Sequence, residues 1–147
     1  MIKQPLILIF ERDLNKLKEE ISLYKDEKNL WVIEKNISNS AGNLALHLIG
    51  NLNHFIGAVL GKTGYVRERD LEFSNKNIPK EKILLAIDET IIMIKNVLSN
   101  VTDEILTGQF PEKKQGQDYP TNFILLHLLA HLEYHLGQIN YHRRLLD

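Results

Sequence analysis

Two histidines one helical turn apart, His131 and His135, are the residues of this sequence whose types and spacing are most typical of metal chemistry. They lie in the segment HLLAHLEYHLGQINYHRRLLD, directly before Gly137 and Gln138. Histidines at positions i and i+4 of a helix are about 40° apart around it and about 6 Å apart along it, so both imidazoles can reach one ion. His47, within GNLALHLIGNLNHFIGAVLG, is the candidate for a third ligand from another helix. The pattern predicts a metal site of imidazole nitrogens inside a helical bundle.

The other histidines fall on the same two stripes when each segment is projected as a helix at about 100° per residue. One stripe contains His127, His131, His135, Gln138 and His142, and the other contains His47, Asn51, His54 and Ala58. Such residues are often hydrogen-bonded core histidines, but their concentration on two inward faces favours a metal, because buried imidazoles need partners. We interpret His142 as a bystander, and His54 and His127 as residues that line the pocket or orient the ligands.

The sequence departs from two common helical metal motifs. His131 is followed by Leu132, so the HxxxH pair lacks the glutamate-first order of zinc proteases. The second helical segment offers no inward glutamate, and Glu133 projects about 120° from His127, which argues against a di-iron bundle. A site of three imidazoles is therefore the interpretation that the ligand types favour.

Composition bounds the class of protein. The 147 residues include 18 basic and 19 acidic ones, for a net charge of −1, which gives no electrostatic case for binding nucleic acid. The absence of cysteine excludes disulfides, thiolate zinc sites and a thiol nucleophile from the protein itself. No apolar run approaches the roughly 18 residues that a membrane span needs, and MIKQPLILIF runs into charged residues without a cleavage site. We predict one cytoplasmic domain over residues 1–147, with no membrane contact.

Four segments repeat apolar residues at the three- and four-residue spacing of amphipathic helices. They span about residues 4–24, 41–60, 80–100 and from 121 to near the chain end. Capping residues are expected at 36–40 for the second helix, at Thr102 for a further short turn, and at Thr121 for the fourth helix. We predict an all-α fold, a four-helix bundle with long connections.

The two long connections, 61–78 and 107–120, exceed what a tight bundle turn requires, and we expect them to frame the entrance to the site. Arg67, Arg69 or Lys113 would then bind carboxylates of a substrate or cofactor. Alternatively, the two arginines hold the loop together by pairing with Glu68, Asp70 and Glu72.

The blocks GNLALHLIGNL, RERDLEF and HLEYHLGQINYHRRLL resemble, in order and placement, a bacterial branch of the DinB-like superfamily of four-helix-bundle metalloproteins. The resemblance implies a divalent metal, nickel or zinc, bound by His47, His131 and His135, with solvent in the remaining positions. It also implies a homodimer. Some relatives use the metal to activate a low-molecular-weight thiol, as bacillithiol transferases or mycothiol-dependent isomerases.

The leading functional hypothesis is a metal-dependent enzyme that transfers such a thiol to an electrophilic small-molecule substrate, since a divalent cation favours the thiolate. A second hypothesis is a hydrolase, in which the same open position activates water. A third, of a different class, is a noncatalytic metal-binding or stress-response module. Among candidate catalytic residues, Asn51 and Gln138 would orient ligands or contact substrate, and Tyr134 would donate a proton.

Overall fold

Helices make up most of the computed structural model, which describes residues 2–147. They are α1 (Lys3–Ser22), α2 (Ala41–Leu52) with a π-helical continuation (Asn53–Leu60), α3 (Arg69–Ser74), α4 (Lys80–Asn100), α5 (Asp103–Thr107) and α6 (Thr121–Leu146). A 3₁₀ turn, Glu27–Trp31, lies between α1 and α2. Within the described residues there are isolated β-bridges but no strand, so the predicted all-α class is confirmed. No helix in that part of the chain is long and apolar enough to cross a membrane.

The four long helices pack as a ring, in which α1 contacts α4 and α6, and α2 contacts the same two helices. Polar contacts give their directions. Lys3 at the start of α1 donates to Val101 O, just past the end of α4, so these helices are antiparallel. Glu20 near the end of α1 accepts from Asn140 and Arg143 near the end of α6, so that pair is parallel. Helices α1 and α2 are therefore diagonally opposite in the bundle, and so are α4 and α6. The chain needs a long connection to join two diagonally opposite helices.

The apolar stripes predicted from the sequence form the core. On α1 the residues at three- and four-residue spacing are buried, and on α4 the same spacing buries one face. These core residues are Leu6, Phe10, Leu14, Leu17 and Ile21 on α1, and Ile83, Ile87, Ile94 and Leu98 on α4. Burying a side chain of this size contributes roughly 1.5–3 kcal/mol, so helix packing rather than local propensity stabilises the fold.

Two of the predicted caps are present and one is not. The Ser40 hydroxyl accepts from the Asn43 amide at the start of α2, and the Thr102 hydroxyl caps α5. Thr121 is instead the first residue of α6, and both its amide and its hydroxyl donate to Gly108 O. The expected cap was wrong because this side chain ties the start of α6 to the end of α5.

The second helix continues to Leu60 as predicted, but from Asn53 onward it is a π-helix. At its end the amide of Gly61 donates to Ile56 O, five residues back. Because a π turn holds more residues than an α turn, a projection at 100° per residue fails beyond Asn53. His54 lies at the start of this segment, two turns and about 10 Å along the axis from His47, and its Nε2 lies 3.0 Å from Glu112 Oε2.

The connection between α2 and α4 contains the short helix α3, which the sequence analysis did not predict. Three of its six residues are charged, and the helix is too short to show an apolar periodicity that would reveal it. The buried Asn43 side chain holds it against α2 by donating to Glu72 O at 2.8 Å and to Asn75 O at 2.9 Å. As a result, the side chain of Glu72 points at α2.

Candidate metal centre

His47 from α2 and the pair His131 and His135 from α6 bring their ring nitrogens together. The Nε2 atom of His131 lies 3.1 Å from Nε2 of His47 and 3.1 Å from Nε2 of His135. The potential ligand atoms of the three rings all lie within 4.8 Å of one another. His47 is buried and the other two are half-buried. The three histidines identified from spacing therefore lie at one point, where they could hold one metal ion.

The helix interface leaves these rings little freedom. Leu48 beside His47 is fully buried, and on α6 Leu132 and Leu136 are buried between and beyond the two histidines. These leucines fix the rotation of both helices, because turning either one would expose its apolar face. The positions of the imidazoles follow from core packing.

Hydrogen bonds place the protons of two rings away from the centre. Nδ1–H of His47 donates to Glu72 Oε1 at 3.0 Å, and Nδ1–H of His135 donates to Gln138 Oε1 at 2.7 Å. With its proton on Nδ1, the uncharged form of each ring turns an unprotonated Nε2 toward His131.

His131 cannot donate a hydrogen bond to both His47 and His135. Its Nδ1 is buried and has no hydrogen-bond partner among residues 2–147. A proton on Nε2 would serve one neighbour and leave Nδ1 as an unpaired buried acceptor, whereas a proton on Nδ1 would leave three lone pairs facing each other. A cation at the centre removes the repulsion, because all three lone pairs can then bind it. The residues present therefore fit a metal ion.

The protonation states suit metal binding. Burial, assisted by the neighbouring histidines, lowers the pKa of His131 to about 3. Burial also lowers the pKa of His47, and the bond to Glu72 offsets this only in part. Both rings are neutral at pH 7, which is the form that coordinates metals.

Glu72 is part of the site, a role that the sequence analysis missed. Its carboxylate is 6% exposed and accepts from His47 and, at 2.8 Å each, from Nε and Nη2 of Arg67. The paired guanidinium compensates a negative charge that would otherwise be costly to bury. Helix α3 was not predicted and Glu72 lies 25 residues from His47, so the sequence carried no signal for the contact between them.

The two candidate arginines lie on the outer side of His47. Arg67 is engaged with Glu72, and the guanidinium of Arg69 lies 5.3 Å from the centre of the Phe73 ring. Phe73 in turn packs against the His47 ring, with 4.9 Å between centroids. The connection between α2 and α4 therefore holds the His47 ring in place through Glu72 and Phe73.

The candidate catalytic residues occupy three different environments. Asn51 is buried one turn beyond His47, and its Oδ1 has no hydrogen-bond partner within the described chain. Gln138 contacts His135 directly. The Tyr134 ring lies 5.3 Å from the His135 ring but is 66% exposed, so it stands at the rim of the site. The catalytic roles of these residues stay predictions.

The remaining histidines lie outside the cluster. His142 accepts from the Tyr24 hydroxyl at 2.6 Å and donates to Val32 O at 2.8 Å, which accounts for both ring nitrogens. His127 lines a smaller cavity, of about 220 Å³, together with Lys113 and other residues. Burial, followed by the charge of Lys114, lowers the pKa of His127.

A larger cavity, of about 700 Å³, opens beside the centre, with His135 and Gln138 in its wall. The expectation that connections 61–78 and 107–120 frame this opening was wrong. Residues 34–39, from the connection between the diagonal helices α1 and α2, form its other side. This connection has to cross the end of α6, which brings it over His135.

Replacing Gly50 by alanine should weaken metal binding without removing a ligand. A Cβ atom at this position would lie 2.6 Å from Cδ of Glu72, so the carboxylate would have to move and release His47. Loss of the partner that orients a ligand typically lowers metal affinity about 10- to 100-fold. The measurement is a competition titration of Gly50→Ala against a chromogenic chelator.

Gly137→Ala is the matched control, because it also adds one methyl group to a helix. No heavy atom of the described chain lies within 4 Å of the Cβ that it would add. The control should bind metal like the parent protein. Equal affinity in both variants, with similar helical content by circular dichroism, would show that Glu72 does not support the site.

Comparison with known proteins places the chain in a family. Residues 8–147 match a family model described as "Protein of unknown function (DUF1572)". No curated protein matches the chain. The matched region includes the three clustered histidines, Glu72 and nearly the whole helical fold. The chain therefore belongs to the DUF1572 family.

Proposed function

We propose that this protein is a metal-dependent enzyme of the DinB-like superfamily, in which His47, His131 and His135 hold one divalent ion, nickel or zinc. The observation that carries the proposal is the convergence of three imidazoles, two with Nε2 turned toward the centre, beside an open cavity. When bound, such an ion lowers the pKa of a neighbouring thiol or water and so supplies a nucleophile.

A small thiol is the preferred nucleophile in this proposal. The chain has no cysteine, so any thiol must come from outside. Imidazole ligands are neutral, and Glu72, the carboxylate that contacts His47, is compensated by Arg67. Positive charge at the centre is therefore not neutralised by the protein, which favours an anionic thiolate. The thiol would be transferred to an electrophilic small molecule, with Tyr134 as a proton donor at the rim.

An open coordination position also distinguishes an enzymatic metal site from a closed, noncatalytic metal site. A fourth protein ligand, such as His54 or His127, would close the coordination. His54 is hydrogen-bonded to Glu112, and neither His54 nor His127 belongs to the three-histidine cluster. This arrangement supports a position that an exogenous molecule can occupy.

Each of the variants His47→Ala, His131→Ala and His135→Ala should lose most of the bound metal, because two imidazoles bind an ion far more weakly than three. Element analysis of protein purified without added metal measures the stoichiometry, expected to be one ion per chain in the parent protein. His54→Ala serves as the control and should keep its metal. A triple alanine variant that retained one tightly held equivalent would contradict the assignment.

Cobalt substitution should discriminate thiol transfer from hydrolysis. A thiolate beside Co²⁺ adds an intense sulfur-to-metal charge-transfer band in the near ultraviolet, and we expect millimolar cellular thiols to produce it. If azide altered the cobalt spectrum while a panel of thiols did not, thiol transfer would be abandoned for the hydrolase alternative.

We also infer a homodimer, mainly from the family resemblance. The first half of α6 exposes Phe123 and Leu126 at 43% and 47%, and Tyr119 stacks on Phe123 with 4.4 Å between ring centroids. This apolar surface is a reasonable contact for a second copy. Light scattering should give twice the chain mass of 17.0 kDa, and Leu126→Glu should reduce it. A mass of 17.0 kDa throughout the micromolar range would refute the dimer.

A further inference from the structure

The cavity beside His135 has mainly apolar walls. Tyr134, Tyr141 and Leu145 line one side from α6. The other side contains Ile37 and Leu44 together with the polar residues of the 34–39 segment, namely Glu34, Lys35, Asn36, Ser38 and Asn39. The two tyrosines and Leu145 are 65–77% exposed to solvent, although they are large and largely apolar. A volume of about 700 Å³ falls within the range of sites for small organic ligands.

Charge is nearly absent from these walls. Glu34 and Lys35 are the charged side chains in the lining, and their charges are opposite. Two further cations follow on α6 but are occupied, because Arg143 pairs with Glu20 and Arg144 lies over the Tyr141 ring. A ligand with several carboxylates would find no free guanidinium here, so the cavity favours an uncharged molecule.

The cavity meets the candidate metal centre at His135 and Gln138. The oxygen of the Gln138 side chain accepts from His135, while its nitrogen makes no hydrogen bond within residues 2–147. That amide is a neutral donor at the junction between cavity and centre. A carbonyl or ether oxygen of a ligand could accept from it, which would fix one polar end of the ligand near His135.

We propose that this cavity binds the electrophilic substrate, and that the substrate is a neutral molecule with an aromatic or branched alkyl body and one polar end near His135. The inference rests on the proposed function for the role of the ligand, but its chemical class follows from the walls alone. The aromatic rings stack on a flat body and the alkyl groups cover it, while Gln138 orients the polar end.

A pair of fluorescent probes tests the class of ligand without any metal. N-phenyl-1-naphthylamine is neutral, and 8-anilinonaphthalene-1-sulfonate is the same ring system with one sulfonate added. Metal-free protein should bind the neutral probe at one site per chain, and more tightly than the anionic probe. Absence of binding, or equal or tighter binding of the sulfonate, would overturn the proposal.

Variants locate the probe. The double variant Tyr141→Ala, Leu145→Ala removes two exposed side chains from the wall and should weaken binding of the neutral probe about tenfold or more, given the apolar area lost. Leu85→Ala, Ile92→Ala is the matched control, with residues 58% and 60% exposed on α4. Equal losses in both double variants would mean that the probe binds elsewhere, which also overturns the proposal.

Hydroxamic acids separate failure of this inference from failure of the proposed function. On cobalt-loaded protein, naphthohydroxamic acid should bind about tenfold or more tightly than acetohydroxamic acid, because its ring system enters the cavity. The wall variant should lose this difference but still bind acetohydroxamic acid. Equal affinities in the parent protein would refute the inference alone. If neither acid changed the cobalt spectrum, the proposal of an accessible metal would be refuted. Binding of the neutral probe to metal-free protein would then decide whether the cavity takes a neutral ligand.

Discussion

The contact between the Glu72 carboxylate and the His47 ring is the interaction on which the candidate centre depends. It fixes the proton of His47 on Nδ1 and thereby turns the lone pair of Nε2 toward the histidines of α6. Three features of the sequence make it possible. Asn43 anchors the backbone of α3, Gly50 leaves room for the carboxylate, and Arg67 compensates its charge. Asn43, His47 and Gly50 lie on one face of α2, so a single helix face receives the whole connection.

The two sides of the centre have different physical characters. On one side of the centre, the paired Glu72 carboxylate and Arg67 guanidinium are largely buried next to His47, and Phe73 packs against its ring. In front of His135, exposed aromatic and alkyl side chains surround open space. This asymmetry explains why charged residues near the site do not imply a charged ligand. Arg67 pairs with the carboxylate that contacts His47, whereas the aromatic and alkyl side chains beside His135 stay exposed.

The ring order of the helices produces the cavity. Because α1 and α2 are diagonal partners, the chain between them must cross the bundle end, and it passes over α6 beside His135. An adjacent arrangement would have needed only a short turn there. His142 holds this crossing in place by its bonds to Tyr24 and to the carbonyl of Val32. His142, which lies outside the cluster, thus helps to shape the cavity beside the three histidines that could hold a metal ion.

The sequence by itself determined the helical class, the core stripes and the three clustered histidines. The class, the stripes and the pairing of His131 with His135 depend on periodicity within a regular helix, and an i, i+4 pair stays together whatever the rest of the chain does. His47 was a candidate from its place on an apolar segment, and it joins the pair because α2 packs against α6. His54 shows the limit of this reasoning, because sharing a helix face does not bring together residues that lie two turns apart, and His54 contacts Glu112 instead.

Only the tertiary structure decided the role of Glu72, the short helix α3 and the position of the cavity. All three belong to connections, where no repeat relates one side chain to the next. Glu72 contacts His47 although 25 residues of sequence separate them. Residues 34–39 line the same cavity as His135 although most of the chain lies between them. Such contacts depend on which helices become neighbours, and that order is set by the packing of every core residue at once.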